Sequence, residues 1–359
     1  MLRDTEMRVL IALHNNPLGD INFLSRQAGI SPITFVRSLK KLQTEGLFDK
    51  RGYVSSQISF SAVGMELVVV FMDAPQRNWK KIEEMCDKHP YTSYRVRCYG
   101  DTNGIFALFA MPTGSLSWLL QLLDIMKKNG TFTDYRLHRL LNEQIYTEVD
   151  FRLYDNRLGT WSFDWDGWAK IIDKGNSVQL KEFPPTFLHH MTAVDMQVLK
   201  QLSMNARKEK KEIAKEVGIP AYQLSRRLKF YKQNNVVGAY RILFGLAAVN
   251  LITPALIECV VDAQAKESIA SAASRLPFQG NFIPTGEGFV LYSTLPAPDF
   301  PKLADVLLQH VDEARLMWCD YASSVRYWFE GSEQSNFRDG KWGTSKELLV
   351  DGVLSDIGA

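Results

Sequence analysis

The basic side chains that could do chemistry are concentrated in two short segments of the sequence. Residues 1–55 contain eight Lys or Arg against five Asp or Glu, and residues 190–245 contain eleven against four. The segments carry +3 and +7, so the rest of the chain is acidic although the net charge is only +2. Such clustering favours contact with the phosphate backbone of a nucleic acid. Two solvated helical faces without a ligand are the alternative interpretation of the same charges.

Other kinds of chemistry have little support in the residue pattern. The four cysteines are far apart and form no C-x-x-C pair, which argues against a zinc ribbon, a haem attachment site and a disulfide scaffold. Neither an H-E-x-x-H motif nor a phosphate-binding loop is present. The histidines are scattered, and His189-His190 follows a Pro-Pro linker. We therefore expect a soluble cytoplasmic protein that holds no metal ion and no cofactor.

The two basic segments align with each other, without a gap, at an offset of 189 residues. Residues 24–42 read LSRQAGISPITFVRSLKKL, and residues 213–231 read IAKEVGIPAYQLSRRLKFY. Apolar positions, a turn glycine (Gly29 over Gly218) and basic positions stay in register. This register predicts an internal duplication with a period too long for a solenoid.

Each segment predicts three helices followed by a basic wing hairpin. Gly29 ends the second helix, Ser31 is the predicted N-cap, and Pro32 begins the third helix, which runs to about Glu45. The predicted buried stripe of that helix comprises Phe35, Val36, Leu39 and Leu42. The hairpin LFDKRGYVSS follows, with Gly52 at its tip, and residues 236–243 form the wing of the second copy. This layout is a winged helix-turn-helix, whose third helix fits the DNA major groove.

The candidate DNA contacts lie on the outward face of the third helix and on the wing. Arginine and lysine can reach phosphates and guanine edges, and short polar side chains can contact bases. In the first copy the candidates are Ser31, Thr34, Arg37, Ser38, Lys41 and Arg51. In the second copy they are Tyr222, Gln223, Arg226, Arg227 and Lys229. Because the two helices differ in sequence, we expect double-stranded DNA sites with two unlike halves.

A strand–helix–strand–strand–helix–strand pattern follows each helical segment. This βαββαβ order is that of a ferredoxin-like domain. The fold class is therefore α+β, with two copies of a winged helix-turn-helix followed by a ferredoxin-like domain. The apolar stretch 242–261 is interpreted as a strand, a turn at Pro254 and another strand, because polar residues interrupt it. The predicted units are 1–57, 58–145, a Trp-rich connector at 146–188, 189–243, 244–330 and a tail at 331–359.

Residues 24–48, LSRQAGISPITFVRSLKKLQTEGLF, resemble the DNA-binding helices of the Lrp/AsnC family of transcription regulators. The βαββαβ units resemble the small-molecule-sensing RAM domain of that family. The resemblance implies an effector site at the turn between the second and third strands, which here contains Gly100, Asp101, Asn103 and Gly104. An amino acid or small metabolite would be the effector. The second copy has only Gly286-Glu287-Gly288 in the matching turn, which is less similar.

The chain departs from that family in carrying two such pairs and a connector with Trp161, Trp165 and Trp168. We expect the two ferredoxin-like domains to pair sheet to sheet within the chain, as an intramolecular pseudo-dimer, and a homodimer remains open. The sequence also resembles siroheme decarboxylases, which pair the same two domain types, but the stretch Tyr94–Tyr99 lacks histidine. A protein-interaction scaffold that has lost DNA binding is a third interpretation. The sequence favours a DNA-binding transcription regulator that is not an enzyme.

Overall fold

The computed structural model describes residues 2–48, 52–175, 178–327, 329 and 333–358, and of residues 333 and 334 it describes only the backbone. The first helical unit lies at the N-terminal end of these residues. Its elements are α1 (Asp4–Asn15), α2 (Ile21–Gln27), α3 (Pro32–Thr44) and β1 (Val54–Ile58). In the turn before α3, Gly29 has a φ of +64°, and Ser31 Oγ accepts a hydrogen bond from Thr34 N at 3.1 Å. The glycine turn and the N-cap therefore have the predicted conformations.

The first βαββαβ unit follows, and a connector leads from it to the second half of the chain. The unit consists of β2 (Met65–Asp73), α4 (Trp79–Lys88), β3 (Thr92–Gly100), β4 (Gly104–Pro112), α5 (Leu116–Lys128) and β5 (Asp134–Arg139). The connector contains β6 (Ile145–Thr147), β7 (Tyr154–Asp155), β8 (Thr160–Trp161) and α6 (Trp165–Asp173).

The second half repeats the order of the first. Its helical unit consists of α7 (Ala193–Asn205), α8 (Lys210–Val217), α9 (Ala221–Gln233) and β9 (Val237–Ile242). Its βαββαβ unit consists of β10 (Thr253–Val260), α10 (Ala263–Ala273), β11 (Gly280–Pro284), β12 (Gly288–Leu295), α11 (Phe300–Leu308) and β13 (Glu313–Arg326). The tail contains β14 (Phe337–Arg338), β15 (Lys341–Trp342) and α12 (Gly352–Asp356). This order confirms the α+β fold class with two copies of each unit.

The two ferredoxin-like sheets join edge to edge, rather than sheet to sheet as expected. Their strands form one nine-stranded sheet in the order β5-β2-β4-β3-β13-β10-β12-β11-β6, and β3 pairs with β13 at the junction. The sheet also closes, because Leu140 after β5 forms an antiparallel bridge with Thr285 after β11. We call this closed sheet the barrel.

The wing strands do not form two separate hairpins. Instead β1 and β9 pair with each other, in the register Val54 to Ile242 and Ser56 to Tyr240. Residues 49–51 of the predicted first hairpin, Arg51 among them, lie outside the described residues. The two wings therefore form one ladder that links the copies, which corrects the predicted free hairpins.

Each helical unit shares a hydrophobic cluster with the βαββαβ unit of the other copy. Leu10 and Phe35 share a hydrophobic cluster with Ile257, whereas Leu199 shares a different cluster with Val68. Burial of these apolar side chains is the main force that holds the units together. The two halves are consequently intertwined rather than arranged side by side.

The connector packs against the outer helices of the second half, and the tail packs against the outer helices of the first half. Helix α6 packs on α10 and α11, and the Trp168 indole donates to Ala272 O at 2.8 Å. The tail packs on α4 and α5, and the Trp342 indole donates to Val63 O at 2.7 Å. Both tryptophans are buried.

The apolar stretch at 242–261 contains the end of β9, a short 3-10 helix and β10. The predicted turn at Pro254 is wrong, because Pro254 lies inside β10 opposite Thr294. Pairing of β10 with β13 begins only at Ala255, so the proline occupies a strand end where the ladder tolerates a missing N–H. Within the described ranges, every helix is too short or too polar to cross a bilayer.

Candidate functional site

On α3, some predicted DNA contacts are exposed and others are not. Ser31, Thr34 and Arg37 are exposed, as predicted. Ser38 is only 7% exposed, and Val36, predicted to be buried, is 48% exposed, so the apolar stripe of α3 is rotated from the predicted one. Lys41 forms ion pairs with Glu6 and Glu45.

In the second copy, too, some of the predicted DNA contacts are exposed and others are not. Tyr222, Arg226 and Lys229 are exposed on α9, and Gln223 is half-buried. Arg227 instead forms an ion pair with the carboxylate of Asp195 on α7. Asp195 also accepts a hydrogen bond from the Tyr231 hydroxyl at 2.7 Å. Arg227, predicted to belong to the outward or flanking polar residues of α9, therefore lies on the flank, where its charge holds α9 against α7. Whether either helix binds DNA stays a prediction.

The predicted effector turn lies at the junction of the two halves. Asp101 Oδ2 accepts a hydrogen bond from Leu316 N at 2.7 Å, and Asp101 N donates to Leu316 O at 3.1 Å. Gly100 has a φ of +125°, and a Cβ there would lie 2.4 Å from Leu316 O, so only glycine fits. The Asn103 amide donates to Gly100 O at 2.8 Å, and Gly104 begins β4. These contacts support a structural role, and the effector role stays a prediction.

Two adjoining spaces lie between the β1–β9 ladder and one end of the barrel. The smaller space has a volume of about 290 Å³, and the larger space has a volume of about 1000 Å³. The two spaces share five lining residues, Gln57, Phe60, Leu67, Gln144 and Tyr146. The smaller space lies at the lower end and the larger space at the upper end of the size range of ligand pockets, about 300–1,000 Å³. We use the name chamber for the two spaces together.

Arg241, on β9, places its guanidinium group in the chamber wall. Its guanidinium lies over the Tyr146 ring at 4.3 Å from the ring centroid, and it forms an ion pair with Glu148. The Gln57 amide, placed with its oxygen toward Arg241, accepts from Nη1 at 3.0 Å. Arg241 Nη2 is buried and has no hydrogen-bond partner among the described residues. A buried guanidinium nitrogen without an acceptor is costly, and an anionic ligand would satisfy it.

Two tyrosines from different halves of the chain meet in the chamber. The hydroxyls of Tyr94 on β3 and Tyr292 on β12 lie 3.1 Å apart, within hydrogen-bonding distance. Burial raises the pKa of both hydroxyls far above that of a free tyrosine. Both therefore keep their protons at neutral pH, and the pair has one proton more than its shared hydrogen bond uses.

Sequence reasoning missed these chamber residues because no local motif contains them. Tyr94 and Tyr292 are 198 positions apart, and Arg241 lies in a stretch that predicts a free wing. Only the pairing of β1 with β9, and the closure of the barrel, bring them together. The alternation Tyr94, Val96, Cys98 in the first copy is the one available signal, since it gives the inward face of β3.

No protein-family model matches the sequence, and no curated protein matches it. Solved structures do match. The siroheme decarboxylase NirDL matches at 13% identity and a TM-score of 0.52, over 99% of this chain and 98% of that chain. The same enzyme in complex with an iron-uroporphyrin III analogue matches at 12% identity and a TM-score of 0.53, over 99% of both chains.

Smaller regulators match less of the chain. An AsnC family transcriptional regulator from Agrobacterium tumefaciens matches 40% of this chain and 92% of that chain, at 14% identity and a TM-score of 0.33. The full-length matches overturn the expectation that the chain is not an enzyme, since both are structures of an enzyme. The likeness establishes the fold: this chain shares its overall fold, over nearly its whole length, with the siroheme decarboxylase NirDL.

Proposed function

We propose that this chain is a decarboxylase of a carboxylated tetrapyrrole and that the chamber is its active site. The observation that carries the proposal is the buried Nη2 of Arg241, which has no partner among the described residues and lies in the wall of a chamber lined by both halves. The full-length similarity to NirDL supplies the reaction and the substrate class. The substrate would lie between the ladder and the barrel end, where side chains from both copies reach it.

The chamber wall fits the acidic arms and the flat ring of such a substrate. Arg241, Arg326 and Lys181 supply positive charge, and Tyr146 and Phe60 supply aromatic surface. Two acidic residues, Glu143 and Glu182, also line the larger cavity. None of the described lining residues is a histidine, so the proposal assigns no histidine ligand to a substrate iron.

The reaction replaces a carboxylate with hydrogen. The bond between the carboxylate carbon and its neighbour breaks, CO₂ leaves, and the electron pair that remains on the neighbouring carbon takes a proton. The Tyr94–Tyr292 pair would supply that proton, because both tyrosines line the chamber and the carbanion is basic enough to take a proton even from hydroxyls whose pKa is raised by burial. Arg241 would hold a carboxylate during binding, and the β1–β9 ladder would restrict access of water.

The test is incubation of the purified protein with siroheme without oxygen, followed by mass spectrometry of the tetrapyrrole. We expect loss of CO₂ from the substrate. In the double variant Tyr94→Phe/Tyr292→Phe we expect tetrapyrrole binding to persist while turnover falls by about 10²-fold or more, the range for loss of a general acid. Tyr135→Phe is the matched control, because that hydroxyl contacts Asp124 on the barrel exterior. An unchanged substrate mass with wild-type protein would overturn the proposal.

A DNA-binding regulator is the second candidate function. The exposed Thr34 and Arg37 behind the Ser31 cap, and the exposed Arg226 and Lys229, favour it. Tyr222 and Gln223 on α9 would add polar contacts to the same face. The paired wings argue against wing contacts with the DNA backbone. Fluorescence anisotropy with duplex DNA at several salt concentrations tests it, because phosphate contacts weaken steeply with salt.

A further inference from the structure

We propose that Cys98 and Cys319 form a reversible oxidation site, at which a peroxide converts the two thiols into a disulfide that joins the two halves of the chain covalently. The inference does not depend on the proposed function. Cys98 lies on β3 and Cys319 on β13, the two strands that pair at the junction of the ferredoxin-like sheets. The two residues are direct partners in the antiparallel register, and both are buried, free thiols.

The hydrogen-bond pattern of the junction brings these two side chains close together. Asp101 N donates to Leu316 O at 3.1 Å, so Asp101 and Leu316 form a hydrogen-bonded pair. Hydrogen-bonded and non-hydrogen-bonded pairs alternate along an antiparallel ladder. Cys98 and Cys319 lie three positions further along the same register, so they form a non-hydrogen-bonded pair. The Cα atoms of such a pair are about 4.5 Å apart, and a disulfide spans about 4.4–6.8 Å.

The two thiols lie on the inward face of the barrel, next to the chamber. Tyr94, Val96 and Cys98 share one face of β3, and Tyr94 lines the chamber. Cys98 is fully buried and Cys319 is 6% exposed, so only a small oxidant can reach the pair. Burial raises the pKa of Cys98 to about 12 and the pKa of Cys319 well above its usual range. Because the thiolate is the reactive form, oxidation should be slow at neutral pH and faster in mild alkali.

The reaction consumes one peroxide for each disulfide. The thiolate of one cysteine attacks a peroxide oxygen, the O–O bond breaks, and a sulfenic acid and water form. The thiol of the other cysteine then attacks the sulfenic sulfur, the S–S bond forms, and a second water leaves. The two sulfurs together lose two electrons, which reduce the peroxide to water.

The other two cysteines serve as internal comparisons. Cys259 lies on β10 opposite Phe289 and Ala314, and Cys86 lies on α4. In the part of the chain that the structure describes, neither faces another cysteine across a ladder. Both are as deeply buried as the junction pair, so a difference in disulfide formation would reflect pairing rather than exposure.

The experiment treats folded wild type, Cys98→Ala, Cys319→Ala and the matched control Cys259→Ala with hydrogen peroxide. A parallel sample receives diamide, a small azo compound that itself takes up the two hydrogens. Intact masses and peptide maps are recorded without reductant. With diamide we expect wild type and Cys259→Ala to lose about 2 Da, and with either oxidant we expect peptides cross-linked between Cys98 and Cys319. Dithiothreitol should reverse the change, and neither junction variant should show it.

Thermal unfolding of oxidised and reduced protein tests the covalent connection of the halves. Oxidised wild type should unfold at a higher temperature, because the cross-link restricts the unfolded chain, and oxidant-treated Cys98→Ala should show no such rise. The wild-type peptide map decides the pairing even if a variant fails to fold. Four thiols that stay free, oxidation that stops at sulfinic acids, or a disulfide between other cysteines would overturn the inference. Equal unfolding temperatures of oxidised and reduced wild type would overturn the stabilising connection between the halves.

Discussion

Arg136 and Glu258 form an ion pair inside the barrel although they belong to different halves of the chain. Arg136 Nη2 lies 2.8 Å from Glu258 Oε2, and Nε lies 3.2 Å from Oε1. His138 Nε2 lies 2.7 Å from the same carboxylate, and Arg315 approaches from the second half at 3.5 Å. Glu258 is 3% exposed. The Glu258 carboxylate on β10 therefore contacts two arginines, Arg136 and Arg315. Its ion pair with Arg136 links β10 to β5 across the barrel.

Glu258→Gln should destabilise the fold by about 1–3 kcal/mol, because it removes the buried carboxylate charge that pairs with the half-buried guanidinium groups of Arg136 and Arg315. Denaturant unfolding of the two proteins measures the difference. Glu66→Gln is the control, since its partner Arg139 is exposed and such pairs contribute about 1 kcal/mol or less. Equal losses in the two variants would show that Glu258 does not hold the halves together.

His89 should make the protein sensitive to mild acid. Burial lowers the pKa of its imidazole to about 3 from 6.5. Because the folded-state pKa is lower than the unfolded one, the stability is fully present above about pH 6.5 and is lost as the pH falls toward 3. Tyr91 N donates to Nδ1 at 3.2 Å, so the neutral ring carries its proton on Nε2, which has no partner among the described residues.

His89→Phe should therefore flatten the fall of unfolding free energy between about pH 6 and 4, where an unfolded histidine gains its proton. The aromatic replacement keeps the edge contact with Phe109. Unfolding measured at several pH values in that window tests this. A variant that loses stability with pH as steeply as wild type would show that other groups cause the acid sensitivity.

The sequence allowed most elements to be predicted, because each has local signals. Ser31 and Pro32 marked the start of α3, and a continuous apolar run marked β2 over Met65–Asp73. The contacts between the two copies had no such local signals in the sequence. The sequence offered no way to foresee that Val54 would pair with Ile242, that Leu140 would bridge Thr285, or that Arg241 would thereby enter a chamber. These contacts depend on tertiary packing between segments far apart in sequence.

Neighbouring arginines on α9 should behave differently when removed. Arg226→Ala, at an exposed position, should leave stability unchanged and, if α9 binds DNA, reduce the salt slope of binding by about one. Arg227→Ala should cost about 1–3 kcal/mol of stability, because it leaves the buried Asp195 carboxylate without its ion pair. Unfolding and DNA-binding assays on both variants test this. A salt slope unaffected by Arg226→Ala would argue that α9 does not contact DNA.

Asp101→Ala should weaken the junction of the two halves by about 0.5–1.5 kcal/mol, because Leu316 N loses its acceptor at an exposed position. Glu287→Ala is the matched control from the corresponding turn of the second copy, where the side chain is exposed. That change should stay within about 0.5 kcal/mol. Thermal unfolding with and without amino acids separates the two roles of Asp101. Stabilisation by an amino acid that disappears only in Asp101→Ala would support the effector prediction instead.

The most direct test of the account is a crystal structure of the wild-type protein with uroporphyrin III bound. The account predicts the macrocycle in the chamber between the β1–β9 ladder and the barrel end. One of its carboxylates should lie within hydrogen-bonding distance of Arg241 Nη2, and the Tyr94 and Tyr292 hydroxyls should face the ligand. A macrocycle bound elsewhere on the chain, with the chamber empty, would contradict it.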